Sequence, residues 1–563
     1  MKRNTKILGS FTLVLGVLIL CAVPLLAQDT PTLAPTMTSR YPVAFAVTPP
    51  LRELAKLPQP PRYGFHVADP GHWVNFHPDR YSAAVVDPVE QSSQGGPTSL
   101  SVGLNLLGVG TGFPGYSVPD APPDTNAAVG DTQVVEWVNV SFAIFNKTTG
   151  AVEVGPLEGN TLWSSLGGTC ARNNDGDIIA QWDRVAHRWL LAQNTFVNPY
   201  TACIAVSQTP DATGAYYEYA FSLGTGFPDY PKYGIWPTGY FETMNNFGPG
   251  GSNFVGAEVC AYNSAKLLVG DHTAEQICFQ LTNNDYSILP ADHDSSVSPP
   301  SGQDEFFLGS YDVDSSNNHL YLYSMHPVYP NPSQSTFTGS GLADPITVPT
   351  YSPYDPSCNA IRGACIPEPG GLGVAPLSDR VMYRLAYWAD PPAVTGVVQG
   401  VAGTPYQHWY INHVVNASGG QAGVRWYEFR ALSRPVTLSG VFLYQSGTYA
   451  PDSNSRWMAS MAQDHAGDIL VGYSLSGTSV YPSVAAAGRV TTDPLGQLEA
   501  EVPIFAGTGS QSLTDNRWGD YSSMAIDGAD GCTFWYAQEY YTVPNTQFDW
   551  STRVASLKFS NCH

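Results

Sequence analysis

The chain is short of charge, and above all of positive charge. Only 13% of its 563 residues are Asp, Glu, Lys or Arg, and 25 basic side chains face 47 acidic ones, a formal net charge of -22. Nucleic acid is excluded as a bulk partner, because its phosphates call for clustered Lys and Arg. No polybasic run offers itself to an anionic lipid surface either. Long apolar runs are scarce: after residue 27 nothing approaches the roughly 18 unbroken apolar residues of a membrane helix. HExxH, GxSxG and Walker sequences are missing, which removes the common zinc-protease, serine-hydrolase and nucleotide signatures. There is no CxxC, and no Cys has a His at zinc-finger spacing. One GxGxxG match, Gly110-Thr-Gly-Phe-Pro-Gly115, contains Pro and precedes no helical pattern, so it reads as a loop.

What the sequence has in quantity is punctuation and rings. It carries 54 Gly, 46 Pro and 12% aromatic residues. Frequent turns, sparse helix formers and many aromatics predict an all-β fold. The length allows one large domain or a few ordinary ones with ample core.

Residues 1–27 read as a secretory signal, with Lys2, Arg3 and Lys6 ahead of the apolar stretch Ile7–Leu20. Cleavage after Ala27 takes the net charge from -22 to -25, since the segment holds three basic residues and no acidic one. A lipoprotein reading would use Cys21, but Leu20 is a poor residue to precede a modified Cys. Release is therefore favoured, and the protein is expected to be extracellular or periplasmic. Without Cys21 eight Cys remain, an even number suited to an oxidising compartment. Nearest-neighbour pairing gives Cys170 with Cys203, Cys260 with Cys278, Cys358 with Cys365 and Cys532 with Cys562, one of 105 connectivities.

Residues 28–118 form a Pro-rich, loosely structured lead-in, with one strand-like run, Leu100–Leu107, able to supply an edge strand. From residue 119 to 563 a repeat appears. Each copy is a short strand, a turn rich in Asp, Gly or Asn, and a second strand heavy in aromatics and β-branched residues. The turns fall at Gly130, Asp183, Pro237, Asp314, Asp390, Asp464 and Asp527. The fourth copy is read as Leu308–Asp314 followed by His319–Ser324, and the fifth, from Val381, is degenerate. Four-stranded units that bury both faces stack radially, so the expected fold is a seven-bladed β-propeller, with six blades as the alternative.

Several stretches carry a family likeness. Ala121-Pro-Pro-Asp-Thr-Asn-Ala-Ala-Val-Gly130, Gly176-Asp-Ile-Ile-Ala-Gln-Trp-Asp183, Cys203-Ile-Ala-Val-Ser-Gln-Thr209, Val480-Tyr-Pro-Ser-Val484 and Arg517-Trp-Gly-Asp-Tyr-Ser522 together resemble secreted, largely uncharacterised bacterial β-propeller proteins. These are distantly similar to the sialidase and Asp-box superfamily. The resemblance implies a propeller and secretion but no established activity. No intact Ser-x-Asp-x-Gly-x-Thr-Trp box occurs; the stretch Asp527–Trp535 only approximates one, so the likeness carries the fold and not a sialidase activity.

With so few basic residues, their positions matter. Arg456-Trp457 and Arg517-Trp518 precede the innermost strand in two successive copies, and Arg380 and Arg384 flank the start of another. Converging at the central channel, these guanidinium groups would suit a carboxylate or sulfate. Alternatively each Arg stacks on its neighbouring Trp and pairs with an acid of the next blade, or with the nearer Asp452, Asp515 or Asp520. Asp124 and Asn126 are further ligand candidates. A sialidase-like mechanism would need a Tyr activated by a Glu, for which Tyr521 and Glu539 are the candidates; both also read as packing residues. No cofactor is required by the sequence. Ca²⁺ is the metal that the oxygen-rich turns fit best, with Asp175 and Asp177 in Asn173–Asp177, and Asp120 beside Asp124. Turn-forming Asx-Gly chemistry explains the same residues without a metal.

The expected role is that of a recognition scaffold for an extracellular glycan or an envelope partner. The alternative is a glycoside hydrolase or lyase at the channel mouth, and a structural surface protein is a third reading.

Overall fold

The structure is a computed structural model that describes Met1 and residues 35–60, 66–67, 85–310, 317–355, 365–391, 405–511, 516–542 and 549–563. The expected signal segment beyond Met1, Cys21, Cys358, Asp314 and Asp515 lie outside the described residues.

The fold is all-β, a β-propeller of small antiparallel sheets. In the first sheet Thr125–Val129, Gln133–Val138, Ser141–Asn146 and Val152–Glu158 follow one another outwards. The next runs Ile179–Asp183, Arg188–Asn194, Tyr200–Ser207 and Tyr216–Gly224, and the third Gly226–Trp236, Gly239–Pro249, Phe254–Tyr262 and Gln276–Gln280. An eleven-stranded sheet combines two such groups, starting at Leu289–His293 and Val381–Ala389, through parallel pairing of Ala291–His293 with Leu385–Tyr387. Two more sheets start at Ser455–Gln463 and Ser523–Ile526. The first strand of each group touches the first strand of the next, and Ser523–Ile526 returns to Thr125–Val129, so the inner strands close a ring.

Sheets stacked on both sides explain the sequence pattern. Gln133–Val138 and Tyr200–Ser207 are buried along their whole length. Period-two alternation therefore fades, because both faces meet a neighbouring sheet.

One inner strand differs from the sequence reading. In the fourth group the innermost strand is Leu289–His293, while Glu305–Gly309, at the start of the expected first strand, is the second strand. Leu289-Pro-Ala-Asp-His293 is short, polar at its end and interrupted by Pro, so it offers little strand signal.

The lead-in is tied to the sheets where it is described. Thr36–Arg40 pairs with Gln276–Gln280, Ala44–Val47 with Tyr216–Gly224, and Glu90–Gln91 with Phe442–Tyr449. Leu100–Leu107 forms the outer strand of the last sheet against Ser551–Phe559, joining the two ends of the ring. Outer strands expose unpaired N–H and C=O groups, which an extended segment satisfies despite its prolines.

Three disulfides occur among the described residues: Cys170–Cys203, Cys260–Cys278 and Cys532–Cys562. The pair expected between Cys358 and Cys365 has one member outside them. No helix among the described residues is long and apolar enough to cross a membrane.

Candidate functional site

The segments that lead into five inner strands meet at one end of the ring. Asp124 precedes Thr125–Val129, Asp177 precedes Ile179–Asp183, and Tyr230 and Lys232 lie early in Gly226–Trp236. Arg380 precedes Val381–Ala389, and Arg517, Asp520 and Tyr521 precede Ser523–Ile526.

Asp124 is the hub. Its Oδ1 accepts the Asp520 amide at 2.6 Å and its Oδ2 the Asn139 side chain at 3.1 Å. Burial, with Asp520 and Asp177 close by, pushes its carboxyl well above the ordinary range. Gly519 makes the approach feasible, since a Cβ there would sit 3.3 Å from the Asp124 amide nitrogen and 3.3 Å from Glu539 Oε2. Asp177 accepts the Tyr230 amide at 3.1 Å, and its own amide donates to Asn139 Oδ1 at 2.9 Å. Burial raises its carboxyl too, against the pull of Lys232.

Lys232 is fully buried. Its ammonium lies 3.6 Å from the centre of the Tyr230 ring and 3.9 Å from that of Tyr521, and donates to Pro231 O at 2.9 Å. Burial lowers its pKa to about 8, while Asp177, Asp124, Asp520 and Asp229 resist the fall. Arg380 makes a two-pronged pair with Asp379, both bonds at 3.0 Å, and stacks over Tyr230 at 4.7 Å. Arg517 pairs with Asp520 at 3.1 Å. Asp124, Asn139, Asp177 and Tyr230 all have φ between 29° and 55°. Side chains with a Cβ adopt that left-handed region at a cost of about 1 kcal/mol each, held here by the surrounding bonds.

The other sequence candidates are placed differently. Arg384 lies further along the ring, bonded to Asp292 Oδ2 at 2.7 Å and Met524 O at 2.6 Å and paired with Asp294. Asn126 is beside it in depth, accepting the Ala180 amide at 2.9 Å. Arg456 is taken up by Asp452 at 2.9 Å and Glu501 at 2.8 Å.

The expected stacking of each Arg on its own Trp does not form. Trp457 and Trp518 pack on one another at 5.3 Å, and Arg456 lies over Tyr449 at 5.5 Å and Tyr473 at 6.0 Å. Neighbouring residues on a strand point to opposite faces, so Arg456 and Trp457 face different sheets.

The Tyr–Glu pair does not form either. Tyr521 donates its hydroxyl to Ile178 O at 3.0 Å, whereas Glu539 accepts the Gly519 amide at 2.8 Å. The chain leaves the ladder before Ser523 and turns Tyr521 toward Lys232. Burial raises both groups well above their ordinary values, the opposite of an activated phenol.

Of the Ca²⁺ candidates, Asp175 accepts the Phe196 amide at 2.7 Å while Asp177 turns to Tyr230, and Asp120 lies in a two-residue strand paired with His66–Val67. Among the described residues the groups close enough to hold a metal are His465 with Cys532 and Cys562, and Glu258 with Cys260 and Cys278; in both the sulfurs form disulfides.

Tyr230 and Lys232 escape sequence reading. Tyr230-Pro-Lys-Tyr233 shows only a lysine inside an aromatic strand, and that oddity is the one signal available.

No protein-family model matches the chain, and no curated protein matches it. Solved structures show weak likeness. A protein of unknown function from Dyadobacter fermentans DSM 18053 is 10% identical over 82% of this chain and 99% of its own, with a TM-score of 0.34. The WD40 domain of SCAP from fission yeast is 7% identical over 76% of this chain and 79% of its own, at 0.30. The catalytic domain of the Coprinopsis cinerea GH62 alpha-L-arabinofuranosidase is 11% identical over 67% of this chain and 89% of its own, at 0.25. Scores this low carry no argument; the fold rests on the strand pairing above.

Proposed function

We propose that this chain is a secreted, seven-bladed β-propeller that serves as a recognition scaffold for an extracellular glycan or an envelope partner. The blade count takes the eleven-stranded sheet as two blades. Residues 1–27 are read as the signal, 28–118 as the lead-in and 119–563 as the propeller body. The three disulfides support an oxidising compartment.

The observation that carries the reading is the cluster of Asp124, Asp177, Asp520, Arg517, Arg380 and Lys232, with Lys232 stacked on both the Tyr230 and Tyr521 rings. Carboxylates and guanidinium groups held in fixed geometry beside aromatic faces suit an array of hydroxyl groups. Asp177, Asp229 and Asp520 keep the cluster partly exposed. Each guanidinium already has its own acid, which favours binding over chemistry. The test is a glycan array on the exported protein, repeated with Arg517→Ala. A defined set of glycans bound by the parent and lost in a folded variant supports the reading.

One observation favours glycoside hydrolysis or lysis instead. Burial and two neighbouring acids push the Asp124 carboxyl well above its ordinary range, the direction a general acid needs. Turnover of any member of a chromogenic glycoside panel, abolished by Asp124→Asn, would establish that reading.

A further inference from the structure

Toward the C-terminal ends of the inner strands, away from Asp124 and Arg517, the channel holds a cavity of about 30 Å³. The Tyr383 ring lines it and packs at 5.9 Å on the Tyr521 ring of the acidic cluster, and Gln181 Nε2 donates to Tyr383 Oη at 3.4 Å. Gln181, Trp182, Arg184, Arg384, Asp292 and Asp294 also line the cavity.

The charges cancel. Asp294 pairs with both Arg384 and, at 3.7 Å, Arg184, and Asp292 pairs with Arg384 at 2.7 Å. His293 beside them is buried and neutral, its pKa pushed down to about 4. Asp527, which also faces Arg184, is paired with Lys147 at 3.0 Å, and Glu305 behind Asp292 is raised well above the ordinary range by burial. A cation entering here meets two guanidinium groups, and an anion meets two carboxylates.

Three lining residues nevertheless keep a buried polar atom with no hydrogen-bond partner among the described residues: Gln181 Oε1, Asp294 Oδ2 and Arg184 Nε. Two accept and one donates. Leaving such atoms unmade costs about 1–3 kcal/mol each, so a partner is called for. A hydroxyl group, which both donates and accepts, matches this alternation where an ion does not. The volume admits one or two hydroxyl-bearing carbons rather than a whole sugar ring.

We propose that this cavity is a second ligand site, at the end of the channel remote from the Asp124 cluster, for the vicinal hydroxyl groups of a small uncharged polyol. It is independent of the glycan reading given above, since it shares none of the Asp124 cluster's residues.

The test is saturation-transfer NMR on the full protein with ethylene glycol and glycerol as probes, xylose as a ring too large to enter, and sulfate and a quaternary ammonium ion in competition. Transfer to ethylene glycol and to glycerol, undisturbed by either ion and absent for xylose, is expected. Gln181→Met should weaken it about tenfold, as befits one lost hydrogen bond to a buried group, while Arg517→Ala leaves it unchanged. Arg184→Lys is the second variant, because Arg184 is partly exposed and its replacement leaves the fold to Asp294 and Arg384. Absence of transfer in the parent protein, displacement by either ion, or equal loss in Arg517→Ala would overturn the proposal.

Discussion

Asp520 donates its backbone amide to Asp124 Oδ1 at 2.6 Å, so two acids of one cluster are joined by a bond in which only one carboxyl takes part. Asp124 has φ of 46° and is buried. Asn keeps an acceptor for that amide and tolerates the left-handed backbone but gives up the bond from Asn139, whereas Ala loses both bonds and the backbone fit. Asp124→Asn is therefore expected to cost about 1 kcal/mol of stability and Asp124→Ala about 2–3 kcal/mol. Equal losses in urea denaturation would mean that Asp124 is charged in the folded protein.

Lys232 balances Asp177, Asp124 and Asp520 from between two rings. Lys232→Met fits the space but removes the positive charge stacked there on both tyrosines. At about pH 7, where Lys232 keeps its charge, a loss of about 3 kcal/mol is expected, the penalty of an acid left buried without its cation. At pH 5 the loss should be smaller, because the raised carboxyls of Asp124 and Asp177 take up protons. Denaturation curves at the two pH values separate these outcomes.

Stability should decline from mildly acidic to alkaline pH. Burial raises Glu136, Glu242 and Glu368 to about 7, and Glu218 and Asp464 to about 8. Their folded pKa values lie above the unfolded ones. Their contribution is complete below the ordinary carboxyl range and is lost as pH rises from there through 7 to 8, by up to about 1.4 kcal/mol per unit for each group between those limits. His293 acts on the other side: lowered to about 4, it costs stability as pH falls from its ordinary value toward 4. Where the two windows overlap, five carboxyls outweigh one imidazole, so the denaturation midpoint is expected to be highest near the ordinary carboxyl range and to fall toward pH 8, with Glu218→Gln flattening the fall. A midpoint that rises up to pH 8 would contradict the assignment.

Glu136 bonds to both segments that close the ring. Its carboxylate accepts the Val109 amide at 2.7 Å, just past Leu100–Leu107, and the Thr552 hydroxyl at 2.7 Å on the adjoining strand. Glu136→Ala should lower stability by about 2 kcal/mol and speed hydrogen exchange in residues 100–109 before other sheets. Uniform exchange across all sheets would show that closure is not held locally there.

The repeat was legible because every inner hairpin must supply two buried strands and a tight turn, and Asp183, Asp464 and Asp527 mark such turns openly. Leu289–His293 was not, since its burial comes from the parallel neighbour Leu385–Tyr387 rather than from its own composition. Asp124, Arg517, Arg380, Asp177 and Tyr521 could be found as polar residues at strand starts. The near partners were legible too, for Arg456 pairs with Asp452 and Arg517 with Asp520. That Arg384 belongs to the cavity and Arg456 also to Glu501 was not, because which face a residue takes depends on where the bulge falls in each strand. Breaks in the ladder between Met382 and Ala386, and between Trp457 and Ser460, shift those faces. Lys232 escaped because its stacking partners, Tyr230 and Tyr521, are almost three hundred residues apart.

The central claim, that the Asp124 and Arg517 end of the ring recognises an extracellular glycan, is tested most directly by titrating an array-selected glycan into the exported protein by calorimetry, beside Arg517→Ala. The account predicts one site per chain and about tenfold or greater weakening in a variant that keeps its disulfides and melting profile. Unchanged affinity in Arg517→Ala, with the variant folded, would contradict it.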